Sequence, residues 1–376
     1  MIGRVVNRID WLLVFFILPI VFAGLVTMKS FAPLEDAGEF FNKQIIWILV
    51  GFSVFFVFSF IDFRFLKRTD VLVFIFLFNS LILLALFVLG NVSHGAKSWF
   101  SFGLFSFQPV DMMKLVLVII LAKYFSRRHV EIGDIKHIFI SGFYAFIPFI
   151  LVLFQPDFGS AMIIFFIWLG MVLISGISKK HLFAVFATGL VVFASFWFLV
   201  FAPYQKARIA NFIHPLTDIH GTGYNAFQST IAVGSGEIAG KGLGFGTQSR
   251  LKFLPQPQAD FIFAAYSEEW GFIGSILILL LYAVIIWRIL YSATLGAYNF
   301  EILFSAGIAI FFMSHILINI GMNLGLMPVT GIPLPFMSYG GSHLLFEFAG
   351  LGILMSMRKY ARSVHRDDMK NEFLGA

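Results

Sequence analysis

Residues 71–90 read VLVFIFLFNSLILLALFVLG, twenty consecutive positions without a charged side chain. A helix of that length spans about 30 Å, the thickness of the hydrocarbon core of a bilayer. Comparable apolar runs recur along the 376 residues. The sequence therefore predicts an all-α polytopic membrane protein of about ten transmembrane helices, the tenth the shortest, at 11–28, 45–61, 71–90, 109–126, 138–154, 158–177, 182–202, 261–287, 302–322 and 342–357.

The composition excludes a soluble globular protein. Apolar residues make up 59% of the chain and charged residues 12%, whereas about 25% of an ordinary soluble domain is charged. Because the chain has no cysteine, it has no disulfides, thiolate metal sites or cysteine nucleophiles. The net charge of +6 does not indicate nucleic-acid binding, since the basic residues form short clusters between apolar runs.

These basic clusters predict the topology, because Lys and Arg mark the cytoplasmic side of short loops. Both termini are then cytoplasmic, which requires an even number of spans. We expect one transmembrane domain, 1–376, with a retained first helix and one long extracytoplasmic loop, approximately 203–260, between the seventh and eighth helices. On the cytoplasmic side lie 17 of the 26 Lys and Arg residues: Arg4, Arg8, Arg64, Lys67, Arg68, Lys123, Arg127, Arg128, Lys136, Lys179, Lys180, Arg288, Arg358, Lys359, Arg362, Arg366 and Lys370.

The long loop is a candidate functional segment, because long loops in compact proteins are usually functional. Its stretch Tyr224–Val233 can form a short helix, and glycines follow at positions 234, 236, 240, 242, 244 and 246. The glycines either make a mobile loop or let backbone N–H groups approach an anion, with Arg208, Lys241 and Arg250 nearby in sequence.

Two charged residues in the fourth helix are not explained by topology. Pro109 suits the first helical position, and Asp111 behind it can stabilise the helix N-terminus. Lys114 lies one turn deeper, on the unfavourable end of the helix dipole, and its spacing from Asp111 puts both side chains on one face. A structural ion pair and the wall of a polar cavity are both compatible with this pattern.

Further carboxylates mark the same outer side. Asp157 directly follows Pro156, and a proline followed by a carboxylate is typical of the start of a helix. Glu268 and Glu269 lie in an apolar segment and point about 100° apart, so both avoid lipid only if protein or a wet cleft surrounds that helix. Asp260 ends the long loop directly before an apolar helix, where an N-cap is the plain interpretation. A carboxylate held at the water boundary is also placed for proton transfer.

Three polar residues of the last two predicted helices, His315, His343 and Glu347, also lie in apolar segments and must avoid lipid. For the isolated histidines His315 and His343 we favour hydrogen-bonded structural roles. Glu347 has no assigned role at this point.

Several motifs resemble the SEDS (shape, elongation, division, sporulation) family of peptidoglycan polymerases, and its elongation branch, RodA, more than its division branch, FtsW. In chain order they are Gly95–Trp99, Gln108–Lys114, Gln155–Gly159, Gly223–Ser229, Gly234–Gly236, Gly240–Gly242, Gly246–Ser249, Asp260–Phe263, Asn319–Met322 and Leu326–Ser342. They cover the chain from the third span to the tenth.

The resemblance implies a lipid II glycosyltransferase of the bacterial inner membrane. Its expected partners are a class B penicillin-binding protein that crosslinks the glycan and other membrane proteins of the elongation complex. Asp260 falls on the essential carboxylate of the family. The expected substrate-binding residues are Asp111, Lys114, Asp157, Arg208, Gln228, Lys241, Gln248, Ser249, Glu268 and Glu269.

The sequence departs from the family pattern at four places. Asp111 stands where the family usually has Glu, and Gln258-Ala259 replaces the usual His-Thr. His343 stands where a second Ser is common, and Glu347 occupies a position that is not usually acidic.

Joining two lipid-linked disaccharides requires a base for the acceptor hydroxyl and positive charge for the departing diphosphate. We expect Asp260 to be the base and Lys114, Arg208 and Lys241 to hold the diphosphate, with Asp111 orienting Lys114. A divalent cation such as Mg²⁺ is an open addition, with no ligands assigned. Two other functions fit the predicted fold: a lipid II flippase, and a scaffold that recruits the crosslinking enzyme.

Overall fold

The computed structural model describes residues 9–30, 37–93, 96–101, 106–127, 135–199, 201, 203–214, 223–296 and 298–374. The first seven long helices are α1 (Trp11–Ser30), α2 (Ala37–Phe60), α3 (Thr69–Leu89), α4 (Pro109–Ser126), α5 (Ile135–Phe154), α6 (Phe158–Ile174) and α7 (Lys179–Leu199). Shorter helices then occupy the long loop: α8 (Pro203–Ile213), α9 (Tyr224–Ser235) and α10 (Thr247–Arg250). The last three long helices are α11 (Ile262–Thr294), α12 (Asn299–Asn323) and α13 (Gly341–Leu374).

Each of the ten predicted segments coincides with a helix in the described residues, and the fourth matches at both ends. Within the part of the chain that the structure describes, seven helices are long and apolar enough to cross a membrane. The total of ten spans stays a prediction, because α4 contains three charged residues, α6 has 17 residues and the second half of α13 is rich in charge. The last helix, expected to be the shortest, is the longest at 34 residues, since its polar C-terminal half continues the helix.

The described residues confirm an all-α fold, to which the structure adds one small element that the sequence did not predict. Between α3 and α4 the chain forms a small antiparallel sheet in the order β1-β2-β3, with strands β1 (Asn91–Ser93), β2 (Ala96–Ser101) and β3 (Ser106–Phe107). The long loop is also more ordered than its glycines suggest, and the helix expected at Tyr224–Val233 is confirmed as α9.

Two helices form the centre of the bundle. In α4, 14 of 18 residues are buried, and in α12, 20 of 25. A helix buried on all sides is surrounded by protein, so polar side chains on it meet other side chains instead of lipid. By contrast, the apolar window of α7 contains no buried residue.

A non-helical segment, residues 324–340, connects α12 to α13 and folds back into the protein. We call it the floor segment. Its apolar side chains at Ile332, Leu334, Phe336 and Met337 are buried, whereas Leu324 and Leu326 near its start are exposed. The Nε2 of Gln44 donates to the Ser338 carbonyl at 3.0 Å, and the hydroxyl of Tyr282 donates to the Pro335 carbonyl at 2.6 Å. Side chains from α2 and α11 thus satisfy main-chain groups that have no helix to pair with.

At the opposite end, Asp10 joins three helices. It precedes α1 and accepts hydrogen bonds from Arg288 of α11 at 2.6 Å and from Arg358 of α13 at 2.6 Å. Burial raises the pKa of the Asp10 carboxyl, but the two guanidinium groups outweigh it and hold that pKa below its ordinary value. Arg288 and Arg358, which the sequence indicated only as topology signals, therefore also connect the ends of α11 and α13 to the start of α1.

We expect Gly24→Ala to destabilise the protein. A Cβ on Gly24 would overlap the main-chain carbonyl oxygen of Met337 in the floor segment, which cannot rotate away. Overpacking of this kind costs about 1–3 kcal/mol. Thermal unfolding in detergent should give a lower Tm. The matched control is Gly189→Ala in α7, where a Cβ meets nothing within 4 Å and helix propensity favours Ala by about 1 kcal/mol. Equal Tm shifts in the two variants would contradict the packing of α1 on the floor segment.

We expect Asp10→Asn to lower the Tm at pH 7, because two buried guanidinium contacts lose their charge, at a cost of about 1–3 kcal/mol. Since the folded-state pKa of Asp10 is depressed, its stabilisation is complete above the ordinary value near 3.8 and is lost as the pH falls through the folded-state pKa. The difference in Tm between wild type and variant should therefore shrink below about pH 4. Asp70→Asn, which removes an exposed pair with Arg68, should change stability by less than about 0.5 kcal/mol.

Candidate active site

Asp260 lies where the long loop meets α11, and two asparagines of α12 fix its main chain. The Nδ2 groups of Asn319 and Asn323 each donate to the Asp260 carbonyl oxygen at 3.0 Å. The Oδ1 of Asn323 also accepts from the N–H of Ala264 at 3.1 Å. Asn319 and Asn323 are one helical turn apart and fully buried. They therefore hold the end of the loop with amide groups supplied from a neighbouring helix.

The expectation that Asp260 caps α11 is wrong. The helix begins at Ile262, so Phe261 occupies the N-cap position, and it makes no side-chain capping hydrogen bond. The N–H of Ala264, in the first turn, receives its acceptor from Asn323 instead. The Asp260 carboxylate is consequently not the group that starts this helix.

The floor segment lies directly against the Asp260 carboxylate. A Cβ built on Gly331 would be 3.5 Å from its Oδ2, and Gly331 has a φ of +75°, a conformation that favours glycine. The end of the loop is bonded to the floor segment at two adjacent positions: the Tyr339 N–H donates to the Gln258 carbonyl at 2.8 Å, and the Ser338 hydroxyl donates to the Ala259 carbonyl at 2.7 Å. The main chain that leads to Asp260 is thus fixed beside the floor segment.

A second charged cluster lies at the start of α4. The Nζ of Lys114 is 3.0 Å from Oδ1 of Asp111, and both residues are about 1% exposed. The Nδ1 of His343 is 3.6 Å from the same Asp111 oxygen, and its Nε2 is 2.8 Å from Oε1 of Glu347. The second Glu347 oxygen accepts from the Phe336 N–H at 3.0 Å. Glu347, unassigned from the sequence, therefore joins α13 to the floor segment.

The two clusters are linked through α12. His315 lies one turn before Asn319, and its ring centroid is 4.5 Å from that of His343. Its Nδ1 is 3.4 Å from the Pro333 carbonyl oxygen. Asn319 donates to the Ile332 carbonyl at 2.7 Å. The floor segment thus has Asp260 on one part of its surface and the polar cluster of α4 and α13 on another.

Asp157 is a helix cap, as its sequence position suggests. Its Oδ1 accepts from the Ser160 N–H at 2.9 Å, and its Oδ2 accepts from Nε2 of Gln108 at 3.1 Å. The Gln108 N–H in turn donates to the Ser342 hydroxyl at 3.2 Å. The N-terminal ends of α4, α6 and α13 are therefore tied together beside the floor segment.

The glycine-rich loop is folded onto the first part of α11. Oε1 of Glu268 is 2.7 Å from Nζ of Lys241 and accepts from the Gln248 N–H at 3.1 Å. Oε1 of Glu269 accepts from the Gly244 N–H at 3.0 Å. Two predicted substrate residues, Lys241 and Gln248, thus both contact a third, Glu268. Because the glycine-rich loop covers this part of α11, the adjacent carboxylates of Glu268 and Glu269 contact protein and avoid lipid.

A break in α11 makes room for that loop. Gly271 has φ 67° and ψ −163°, outside the helical region. A Cβ there would overlap the main-chain nitrogen of Gly240. The N–H groups of Phe272 and Ile273, which the break leaves without a helical partner, donate to the carbonyls of Glu237 and Ile238 at 2.9 and 3.1 Å. The glycines at these two positions therefore serve close backbone approach.

Comparison with known proteins agrees with this arrangement along the whole chain. A family model described as "Cell cycle protein", FtsW/RodA/SpoVE, matches residues 6–363. The chain belongs to this family.

Two relatives and two solved structures show how far the likeness extends. Stage V sporulation protein E of Bacillus subtilis (strain 168) is 36% identical over 94% of this chain and 98% of its own. Peptidoglycan glycosyltransferase MrdB of Escherichia coli (strain K12) is 34% identical over 78% of this chain and 79% of its own.

Among solved structures, crystalline Thermus thermophilus rod shape determining protein RodA superposes with a TM-score of 0.69 at 26% identity, over 93% of this chain and 96% of its own. A chain from "Structural coordination of polymerization and crosslinking by a peptidoglycan synthase complex" gives 0.79 at 29% identity, over 94% and 98%.

The remaining predicted site residues of this FtsW/RodA/SpoVE member are placed less centrally. Gln228 is half-buried on α9, and Ser249 is buried in α10. Arg208 belongs to α8, but its side chain lies outside the described residues. Among the side chains that the structure does describe, no group of three or more His, Asp or Glu could hold a metal ion.

Sequence reasoning gave no role to Asn319, Asn323 and Glu347, and only a structural one to His343. Asn319 and Asn323 had a usable signal, because two amides one turn apart in an apolar helix are expensive to bury without partners. His343 and Glu347 are also one turn apart, which is the spacing for a contact on one helix face.

We expect Glu268→Gln to loosen the glycine-rich loop, because the carboxylate holds Lys241, Thr247 and Gln248 together. Limited proteolysis should cut the variant faster within residues 240–252. Glu237→Gln is the matched control, since Glu237 is exposed on the same loop. Equal cleavage rates for wild type and Glu268→Gln would show that this carboxylate does not hold the loop.

Proposed function

We propose that this enzyme is a peptidoglycan glycosyltransferase that polymerises lipid II into β-1,4-linked glycan strands during cell elongation and rod-shape maintenance. Family membership and the name of the Escherichia coli relative support the glycosyltransferase class. The observation that carries the proposal is the seating of the Asp260 carboxylate on Gly331, with its main chain held by Asn319 and Asn323. A catalytic base needs a fixed position of this kind.

In the proposed reaction the 4-hydroxyl of the acceptor sugar attacks the anomeric carbon of the donor. A bond forms between that oxygen and the anomeric carbon, and the bond from this carbon to the lipid diphosphate breaks. Asp260 accepts the hydroxyl proton, and the diphosphate leaves with the bonding electrons. A single displacement inverts the anomeric centre and gives the β-linked product. One base suffices, because diphosphate is a good leaving group and needs positive charge more than an acid.

We assign that positive charge to Lys114, Arg208 and Lys241. Lys241 keeps 28% of its side chain exposed while it contacts Glu268, so its ammonium group can reach a phosphate oxygen at the loop surface. Lys114 is covered, and Asp111 holds it in place. Contact between Lys114 and the diphosphate therefore requires the residues that cover the start of α4 to move aside.

We assign the polyprenyl chain of the substrate to a lipid-facing groove between helices. A small apolar depression, lined by Phe158, Gln205, Ile209, Pro328, Val329 and Thr330, lies at the floor segment. Thr330 precedes Gly331, which lies beside the Asp260 carboxylate.

We place the active site on the extracytoplasmic face of the bacterial inner membrane, because the basic residues at the other ends of the helices mark the cytoplasmic side. The proposed partners are a class B penicillin-binding protein, which crosslinks the strands, and other membrane proteins of the elongation complex. Similarity to a chain of a peptidoglycan synthase complex that coordinates polymerization and crosslinking supports such a partnership.

The test is polymerisation of lipid II by the purified protein with its cognate penicillin-binding protein. We expect Asp260→Asn to lower the rate by about 10²-fold or more, as loss of a general base does, without a change in Tm. The control is Asp70→Asn, the same substitution at an exposed carboxylate near the other end of the bundle. Polymerisation at the normal rate by Asp260→Asn would refute the base assignment. A wild type that moves lipid II across liposome membranes but forms no glycan would be a flippase.

A further inference from the structure

Four buried residues form a continuous line of polar contacts through the protein. Lys114 contacts Asp111, Asp111 lies 3.6 Å from His343, and His343 lies 2.8 Å from Glu347. Glu347 then accepts from the main chain of Phe336 in the floor segment. None of the four is more than 4% exposed. Because lipid and water are both excluded, each group depends on its neighbours in the line.

The charges of this line constrain its members. Asp111 and Glu347 are two carboxylates, and Lys114 is one ammonium group. A proton on His343 makes the set electrically neutral, whereas its absence leaves a net negative charge in the interior, which is expensive. The positive charge of a protonated His343 therefore offsets the second carboxylate, Glu347, beside Asp111. The two departures from the family pattern, at positions 343 and 347, thus compensate each other in charge.

The line ends on the same segment that supports Asp260. Phe336 is five residues beyond Gly331, and between them the floor is bonded to α12 through Asn319 and the Ile332 carbonyl. Two residues after Phe336, Ser338 bonds the Ala259 carbonyl, next to Asp260. Phe336 therefore lies between two points at which the floor segment is bonded, one to α12 and one to the residue before Asp260. The floor segment thus carries contacts to both the Lys114 cluster and the loop that holds the proposed base.

We propose that His343 and Glu347 are positioning residues for glycan polymerisation, which hold the Asp111–Lys114 pair and the Asp260-bearing floor segment in one fixed relation. The inference rests on the proposed function. The pair touches neither substrate nor a reacting atom, and it acts by fixing the distance between the base and the cation. Misplacement of reacting groups by about 1 Å can cost on the order of 10²-fold in rate.

Glu347→Leu and Glu347→Gln separate the proposal from a general loss of stability. Leu removes the acceptor for the Phe336 N–H, whereas Gln keeps an acceptor oxygen and can donate its amide to a neutral His343. We expect kcat per folded molecule to fall about tenfold or more in Glu347→Leu, with KM for lipid II changed less than about threefold. In Glu347→Gln we expect kcat within about threefold of wild type.

The double variant His343→Ser/Glu347→Leu tests whether the two residues act as a unit. If two residues act as one unit, substituting the second adds no further loss once the first is substituted. The kcat of the double variant should therefore equal that of Glu347→Leu within about threefold. Independent contributions would multiply to about 10²-fold. If Glu347→Leu does not fold, the kcat values of His343→Asn and His343→Ser are compared instead. Asn keeps a polar group near Asp111, so His343→Asn should retain more activity than His343→Ser.

The matched control is His137→Ser. His137 is also a buried histidine, with its Nδ1 2.9 Å from the Tyr124 hydroxyl, and it lies on α5 away from this line. We expect a lower Tm and unchanged kcat per folded molecule. The proposal is overturned if Glu347→Leu behaves like this control, or if the double variant shows multiplied losses. A wild type that forms no glycan from lipid II would refute the proposed function itself.

Discussion

A main chain buried in a membrane protein must have every N–H and C=O group bonded inside the protein, and this requirement shapes the whole site. The floor segment is not helical, so its polar groups need partners from elsewhere. Gln44, Tyr282, Asn319 and Glu347 supply them from four different helices. Glu347, a carboxylate that the sequence left unexplained, is thus one of the partners of this segment. The secured segment in turn bonds the chain directly before Asp260.

The buried charges connect separate parts of the chain. At one end of the bundle, Asp10 contacts Arg288 and Arg358 and so joins three helices. Elsewhere, Glu268 and Glu269 hold a glycine-rich loop against the broken helix α11. The contacts among Lys114, Asp111, His343 and Glu347 join α4 to α13. Asp260 differs from these residues in lying where the long loop meets a helix.

The helices were predictable because hydrophobic run length is a strong signal, and the α4 boundaries follow from Pro109 and the basic residues after Ser126. The strands at residues 91–107 escaped prediction, since short hairpins carry little periodicity. Lys114 and Asp111 could be found because a charge in an apolar helix is costly, and Asp260 because it ends the long loop directly before such a helix and falls on a family motif. Which side chains contact one another could not be predicted. The pairing of Lys241 with Glu268 joins residues 27 apart, and the capping of α11 by Asn323 depends on a helix 59 residues later in the chain. Such contacts are fixed by packing, which the local sequence does not encode.

The cap that Asn323 provides for α11 also has a consequence for biosynthesis. The chain is made from its N-terminus, so α11 enters the membrane before α12 does, and its first turn then lacks the acceptor for Ala264. The Asp260 main chain likewise has no asparagine to hold it until α12 follows. The surroundings of this carboxylate are therefore completed only when the last two helices are inserted.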